Sequence, residues 1–309
     1  MKLALGAMFF GTRQDERTSF ELLDRFVDGG GTMIDTSDNY AAWEHPSGHG
    51  GTSETLLGAW FAARPGVRDR VFLSTKVGAE PLVPGGYPDR VEGLSAPAIT
   101  DAIQASLKRM GVDHVDMYWA HMEDRSVPLE ETVGAFGSLV TSGLVRRVGA
   151  SNHATWRVEQ ARAAARSLGL TGYTAVQLRH SYVVPRPGVL VHDHRFGSVS
   201  EETLDYATAE GLDIWAYTPL IEGAYVRADR PLPEGYDHPG TTRRLAVLAE
   251  VADELGVTRN QVVLAWLIGG TPTVTPLVGV STVAQLDEAM EGARLTLSAD
   301  QQARLDAVR

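Results

Sequence analysis

Four side chains with acid–base chemistry end or follow short apolar runs in this sequence. They are Asp35, Tyr40, Lys76 and His121. A phenol with a pKa of about 10 is a weak proton donor, but a neighbouring ammonium such as Lys76 stabilises its phenolate form. A buried lysine keeps its charge beside a carboxylate, which Asp35 could provide. If His121 also donates a hydrogen bond to a carbonyl oxygen, the set could polarise that carbonyl and protonate the alkoxide that hydride delivery leaves behind.

Each of these residues also has an ordinary structural explanation when it is considered alone. An aspartate at a strand end commonly caps a helix or turn, a single histidine in an apolar strand is commonly a hydrogen-bonded core residue, and a loop tyrosine commonly packs. Lys76 is harder to explain in this way, because lysine occurs only at positions 2, 76 and 108 among 28 basic residues. An Asp–Lys pair inside apolar strands costs stability, so the four residues together favour a functional role.

The elements that must position these residues are short apolar runs that alternate with amphipathic segments, a pattern typical of βα units around a parallel sheet. Eight runs have the length and composition of strands: residues 3–9, 32–36, 71–75, 114–120, 145–150, 175–178, 213–217 and 274–278. Eight repeats predict a (β/α)8 TIM barrel, whose catalytic groups lie at the carboxyl ends of the strands. A doubly wound sheet would be expected to carry G-x-G-x-x-G after its first strand, and the sequence has no such run.

Helix-capping signals stand between the predicted strands. Thr18 and Glu21 form a capping-box pattern. Ser95 begins a helix that Gly111 ends. A capping box at Ser298 lies beyond the eighth strand, so it predicts an extra helix near the carboxyl terminus.

Two long Gly- and Pro-rich stretches, residues 78–97 and 219–240, follow the third and seventh predicted strands. They are interpreted as long βα loops over the C-terminal face of the barrel, where they would cover a site. No linker-like stretch divides the chain. We therefore expect a single domain over residues 1–309.

The composition excludes several classes of function. The chain has 309 residues and no cysteine, which excludes thiol nucleophiles, zinc–thiolate sites and iron–sulfur clusters. A net charge of -11 disfavours nucleic acid and anionic membranes as partners. No apolar run reaches the ~18 residues of a membrane helix, and the apolar start of the chain suits a buried strand better than a signal peptide. We expect a cytoplasmic protein that acts on a small molecule without a metal.

Six segments, together with His121 and Gln177, form a recognisable series. The segments are residues 33–40, 74–76, 106–118, 143–152, 216–220 and 278–281. Each is a weak match alone, but their order and spacing are specific. In them the chain resembles the aldo-keto reductase superfamily of NADPH-dependent carbonyl reductases over nearly its whole length. The resemblance implies a catalytic tetrad of Asp35, Tyr40, Lys76 and His121, with Tyr40 as the general acid or base.

The resemblance also implies a nicotinamide cofactor, NADP(H). Residues at the ends of the fifth to seventh strands would hold the nicotinamide: Ser151, Asn152 and Gln177 through its carboxamide, and Tyr217 by stacking. The loop after the eighth strand would meet the phosphates through Gly279, Ser281 and Gln285. Many relatives carry a lysine or arginine near the 2′-phosphate here, whereas residues 279–285 contain none. NADP(H) is therefore the expectation of the family, and NAD(H) is the alternative.

Several histidines depart from that pattern. His153 stands where an apolar or aromatic residue is more usual, and the sequence offers no account of it. His192 and His194 are spaced like metal ligands, and His45 and His49 flank a short loop, but no acidic third ligand accompanies either pair. We interpret both pairs as solvated loop residues.

The function expected is reduction of an aldehyde or ketone by direct hydride transfer. Two alternatives stay open: a dehydrogenase that oxidises a sugar or other alcohol at the same site, and a cofactor-binding regulatory protein with little catalysis. A metal-dependent hydrolase would need converging ligands at strand ends, and only His121 is so placed. Aromatic residues in the candidate loops predict an aromatic-lined cleft: Trp43, Tyr87, Tyr182 and Tyr225. The sequence does not identify the substrate or the oligomeric state.

Overall fold

The computed structural model describes residues 1–190 and 197–308, and a closed barrel of eight parallel strands forms its centre. Each strand pairs with its neighbours in chain order, and the last strand pairs with the first. The strands are β1 Ala4–Gly6, β2 Met33–Asp35, β3 Phe72–Val77, β4 Val115–Ala120, β5 Val145–Ser151, β6 Ala175–Arg179, β7 Asp213–Tyr217 and β8 Val274–Val278. The predicted TIM barrel is confirmed.

The strands follow the predicted runs in order, and β7 and β8 have the predicted bounds. β1 is shorter than predicted, because regular strand pairing ends at Gly6. β3 and β5 extend further, so that Lys76 pairs with Trp119 and Ser151 pairs with Gln177. The apolar pattern ends before the backbone pairing does. Lys76 and Ser151 therefore lie on strands and not in mobile loops.

The described residues also form ten α-helices. They are α1 Glu16–Asp28, α2 Thr52–Ala63, α3 Ala96–Met110, α4 Leu129–Thr141, α5 Thr155–Ser167, α6 Glu201–Ala209, α7 Pro239–Leu255, α8 Arg259–Gly269, α9 Val283–Gly292 and α10 Ala299–Asp306. α8 packs directly on β8, while α7 and α10 pack against α8 and against each other. α10 is the extra helix near the carboxyl terminus, and its capping box at Ser298 is confirmed.

The observed helix boundaries can be compared with the predicted capping residues. Ser95 accepts a hydrogen bond from the backbone N–H of Ala98 and begins α3, and Gly111 follows its last residue with a φ of 64°. The predicted start at Thr18 is wrong. Asp15 caps α1, and its carboxylate accepts a hydrogen bond of 2.8 Å from the Thr18 backbone. Aspartate is the better N-cap residue, so the helix begins three positions earlier.

The inside of the barrel changes from apolar at its floor to polar at its carboxyl end. Alternate side chains of a strand share one face, so Phe72 of β3 packs in the floor while Ser74 and Lys76 contact Asp35 above it. The buried floor residues are Ala4, Met117, Trp119, Ala175, Trp215 and Leu277. Gly149 of β5 leaves room for the Trp119 ring, because a Cβ there would lie 2.4 Å from it. The filled floor separates the polar groups above it from solvent on that side.

A second and larger core lies between the strands and the surrounding helices. Trp60 of α2, Phe26 of α1 and Phe136 of α4 are among its fully buried side chains. In the part of the chain that the structure describes, no helix has both the length and the apolar character needed to cross a membrane.

Candidate active site

Four polar side chains meet at the carboxyl end of the barrel. Asp35 ends β2, Lys76 lies near the end of β3, and the backbone N–H of His121, just after β4, donates to the Val77 carbonyl oxygen at 2.8 Å. Tyr40 lies in the loop after β2, and its ring centroid is 6.0 Å from that of His121, at an interplanar angle of 72°. The structure thus brings together the four residues that the sequence singles out.

Lys76 is held by three acceptors that match the three N–H groups of an ammonium. Its Nζ donates to Asp35 Oδ2, to the Thr36 carbonyl oxygen at 2.7 Å and to the Tyr40 hydroxyl oxygen at 2.5 Å. The same Nζ lies 4.3 Å from the centroid of the Tyr40 ring. An ammonium so completely bonded has a fixed position, and it points at the phenol oxygen.

Donors surround the Asp35 carboxylate. Oδ1 accepts from Ser74 Oγ at 2.6 Å and from Gln177 Nε2 at 3.3 Å. Oδ2 accepts from Lys76 and also from the Tyr40 hydroxyl at 3.1 Å. The Asp35 and Lys76 side chains are 0% and 1% exposed, and buried charges are tolerated only with such pairing and hydrogen bonding. The pair keeps the buried site close to electrically neutral.

Burial, more than the ammonium, sets the protonation of the phenol. Burial raises the pKa of Tyr40 well above its usual value, and the nearby Asp35 carboxylate raises it further. Burial also lowers the pKa of Lys76, although Asp35 opposes that shift. Lys76 contacts the phenol oxygen, as the sequence analysis expects, but burial and Asp35 together raise the pKa of Tyr40 in spite of that contact. At neutral pH Tyr40 is a protonated phenol, which is the form that can donate a proton.

The ring of His121 is tied to the loop that carries Tyr40. Its Nδ1 lies 3.1 Å from Ser37 Oγ, and Ser37 in turn donates to Asn39 Oδ1 at 2.8 Å. Residues 36–42, the part of this loop that includes Ser37, Asn39 and Tyr40, are buried. This buried part of the loop supports Tyr40 and His121.

A second group of polar residues ends β5, β6 and β7 on the same face of the barrel. Asn152 connects the ends of β4 and β7. Its Nδ2 donates to the carbonyl oxygen of His121, just after β4, at 2.9 Å, and its Oδ1 accepts from the hydroxyl of Tyr217, at the end of β7, at 2.9 Å. Ser151 Oγ accepts from the same amide at 3.2 Å. Gln177 reaches across the barrel to Asp35, as described above. All four predicted nicotinamide contacts thus lie beside the tetrad.

His153, which the sequence left unexplained, stabilises this second group. Its Nδ1 lies 2.7 Å from the Ser151 carbonyl oxygen, so Nδ1 must carry the proton. This bond spans Asn152, whose φ of 58° is in the left-handed region, where asparagine is among the least strained residues. His153 is buried, and burial lowers its pKa, so the ring is neutral. The role of His153 depends on the left-handed backbone of Asn152, and nothing in the composition around these residues indicates that conformation.

A half-buried ion pair behind β3 was also not predicted from the sequence. Glu54, in the first turn of α2, is 0% exposed, and its carboxylate accepts from Thr75 Oγ at 2.5 Å and from Arg109 Nε at 2.7 Å. Thr75 precedes Lys76, so this pair fixes the strand that carries the lysine. The nonlocal pairing with a residue of α3 has no sequence signal.

The loop after β8 is open to solvent. Gln285 Oε1 accepts from the Ser281 backbone N–H at 2.8 Å and from Ser281 Oγ at 3.0 Å, and both residues are exposed just before and inside the first turn of α9. A Cβ at Gly279 would meet no described atom within 4 Å. Arg294 donates to the Gly29 carbonyl oxygen and is thus tied to the end of α1.

The aromatic and histidine predictions have mixed outcomes. Trp43 is exposed, but Tyr182 and Tyr225 are buried and bonded within the core, so they do not line a cleft as predicted.

His49 Nδ1 lies 3.0 Å from Glu80. Among residues 1–190 and 197–308, no three His, Asp or Glu side chains are grouped as metal ligands. His192 and His194 lie outside the described residues.

Comparisons with known proteins identify the family. The pattern of the Aldo/keto reductase family matches residues 2–309. The uncharacterized oxidoreductase YrpG of Bacillus subtilis is 30% identical, over 96% of this chain and 88% of its own length. The norsolorinic acid reductase stcV of Emericella nidulans is 32% identical, over 92% of this chain and 72% of its own length.

The fold has a matching solved structure. A thermostable aldo-keto reductase crystallised with the inhibitor epalrestat superposes with a TM-score of 0.75, over 100% of this chain and 95% of the other, at 24% identity. That likeness supports the barrel, while the family match extends over nearly the whole chain. The chain belongs to the aldo/keto reductase family, whose members are oxidoreductases that act on carbonyl compounds.

Proposed function

We propose that this chain, acting as one domain, reduces an aldehyde or ketone by direct hydride transfer from NADPH, with Tyr40 as the proton donor. The observation that carries the proposal is the contact of 2.5 Å between Lys76 Nζ and the Tyr40 hydroxyl, inside a site that Asp35 neutralises. Membership of the aldo/keto reductase family supports carbonyl chemistry.

The donors at the ends of β5 to β7 have the chemistry that a nicotinamide requires. Ser151 Oγ accepts from Asn152, and among the described residues its own proton has no acceptor, so it can donate to a carboxamide oxygen. Asn152 and Gln177 would share their amides with that carboxamide, and the partly exposed ring of Tyr217 would stack on the nicotinamide. When bound, the cofactor supplies a hydride to the carbonyl carbon of the substrate.

The start of α9 is the proposed contact for the cofactor phosphates. The exposed segment carries Gly279, Ser281 and Gln285, and backbone N–H groups at a helix start favour anions. No basic side chain occurs in residues 279–285. We therefore propose NADP(H) on the strength of the family, with NAD(H) as the alternative that binding measurements separate.

The proton then follows a short path. The carbonyl carbon gains the hydride, and the oxygen takes the proton of the Tyr40 hydroxyl, so that an alcohol and a phenolate result. Lys76 already donates to that phenol oxygen, and its charge stabilises the phenolate as it forms. His121 holds the carbonyl oxygen toward Tyr40. Tyr40 is protonated at neutral pH, which is the form that reduction requires.

Steady-state turnover tests this function. Purified protein is given NADPH or NADH with nitrobenzaldehyde and a panel of ketones, and loss of the reduced cofactor is followed by absorbance. We expect turnover by the wild type, a kcat about 10²–10⁴-fold lower in Tyr40→Phe, and wild-type activity in Tyr206→Phe, which removes a phenol of α6 on the barrel's outer layer. Tight NADPH binding without turnover of any carbonyl compound would contradict the proposal and favour a regulatory protein.

A further inference from the structure

Three aromatic side chains from different loops meet beside the candidate active site. Phe9 lies in the loop after β1, Trp43 follows Tyr40 after β2, and Tyr87 lies in the loop after β3. The Trp43 ring centroid is 6.4 Å from that of Phe9, edge to face, and 6.3 Å from that of Tyr87. These separations are those of interacting aromatic pairs. We call Phe9, Trp43 and Tyr87 the aromatic rim.

The aromatic rim leaves one large aromatic surface open. The Arg13 guanidinium lies 4.0 Å from the centroid of the Phe9 ring and pairs with Glu44, the neighbour of Trp43. Phe9 is thus covered by a cation, while Trp43 stays 52% exposed despite its two aromatic contacts. An indole held in place by its neighbours and open on the solvent side is a surface on which another flat ring can stack.

Tyr87 connects the aromatic rim with the proton donor. Burial is the main cause of the raised pKa of Tyr40 and of Tyr217, and the nearby Tyr87 hydroxyl adds to both shifts. The Tyr87 ring contacts Trp43, which follows Tyr40 by three residues in the same loop, and Tyr87 itself lies in the loop after β3, the strand that carries Lys76. The aromatic rim thus lies on the loops after β1, β2 and β3, at the end of the barrel where Tyr40 and Lys76 meet.

We propose that the aromatic rim selects planar aromatic aldehydes and ketones, whose ring stacks on Trp43 while the carbonyl oxygen lies at Tyr40 and His121. This substrate class rests on the reductase function proposed above. A sugar aldehyde would need several hydrogen-bonding groups around the ring surface. The charged neighbours of Trp43 at this point, Arg13 and Glu44, are already paired with each other.

Specificity measurements test the proposal. The value of kcat/KM is measured for naphthaldehyde, butanal and glyceraldehyde in the wild type and in Trp43→Leu, Trp43→Phe and Trp156→Leu. Trp156 is the matched control, because it is 51% exposed and lies on α5 under the Arg125 guanidinium. We expect Trp43→Leu to lower the ratio of naphthaldehyde to butanal by about 3–10-fold, mainly through KM. Trp43→Phe should restore part of the ratio, and Trp156→Leu should leave it unchanged.

A binding measurement separates this proposal from the reductase function. Calorimetry with naphthamide, which is not reduced, should show weaker binding to Trp43→Leu than to the wild type and to Trp156→Leu. Equal losses for all three aldehydes, preference of the wild type for glyceraldehyde, or unchanged naphthamide binding would overturn the role of the aromatic rim. If no aldehyde is reduced but naphthamide binding depends on Trp43, the reductase function fails while the aromatic rim stands as a binding site.

Discussion

The buried pair of Asp35 and Lys76 leads to a stability prediction whose size follows from the structure. Asp35→Asn removes the one carboxylate among the described residues that is bonded to Lys76, and it leaves the ammonium its contacts with the Thr36 carbonyl and Tyr40 hydroxyl. Loss of one member of a buried pair costs about 3–5 kcal/mol. The cost at neutral pH cannot exceed about 5 kcal/mol, because a stranded Lys76 can lose its proton instead. Deprotonating a free lysine, whose pKa is about 10.4, at pH 7 costs about that much free energy. Lys76→Met, which strands the carboxylate, should cost a similar amount.

The double variant Asp35→Asn/Lys76→Met should be much more stable than the sum of the single variants implies. Both charges are then gone, and apolar or neutral replacement of a buried pair is often close to neutral. We expect a coupling free energy of about 2–3 kcal/mol, measured by urea unfolding followed by tryptophan fluorescence. The exposed pair of Arg304 and Glu254 is the control cycle and should show no measurable coupling. Additive single losses, or single variants as stable as the wild type, would refute a charged buried pair.

Two further predictions concern the barrel floor and the support of the second polar group. Gly149→Ala should lower the free energy of unfolding by about 1–3 kcal/mol, because its new Cβ meets the Trp119 ring. Gly134→Ala, in a helix with no atom near the new Cβ, should raise the free energy of unfolding by up to about 1 kcal/mol. Denaturant unfolding measures both variants, and equal effects would contradict the packing argument. Burial lowers the pKa of His153, so the unfolded state gains a proton at higher pH than the folded state, and stability is lost as pH falls below about 6.5. His153→Phe should show a smaller loss of unfolding free energy between neutral and mildly acidic pH, and an unchanged pH slope would show that His153 does not stay neutral.

The position of the four polar residues could be predicted because it follows from a local pattern, the end of an apolar strand, that repeats along the chain. Asp35, Lys76 and His121 each end or follow an apolar run, and parallel strands of a closed barrel place such ends on one face. α2 was not predicted, since it buries Leu56 and Trp60 together with other residues around the helix and so lacks a clear apolar stripe.

The electrostatic balance of the site could not be predicted, because it depends on depth. A neighbouring ammonium and burial shift a phenol pKa in opposite directions, and only the 9% exposure of Tyr40 decides that burial prevails. The role of His153 depends on the left-handed backbone of Asn152, and the pairing of Glu54 joins two helices. Such features follow from tertiary contacts and carry no periodic signal.

The rate of hydride transfer in a single turnover tests the role of Tyr40 most directly. Wild-type and Tyr40→Phe protein, each preloaded with NADPH, are mixed with nitrobenzaldehyde in a stopped-flow instrument, and NADPH fluorescence reports the step. Phenylalanine keeps the ring but has no proton to give, so we predict a transfer rate about 10²–10⁴-fold lower with an unchanged Kd for NADPH. A variant that transfers hydride as fast as the wild type would contradict the assignment of Tyr40 as the proton donor.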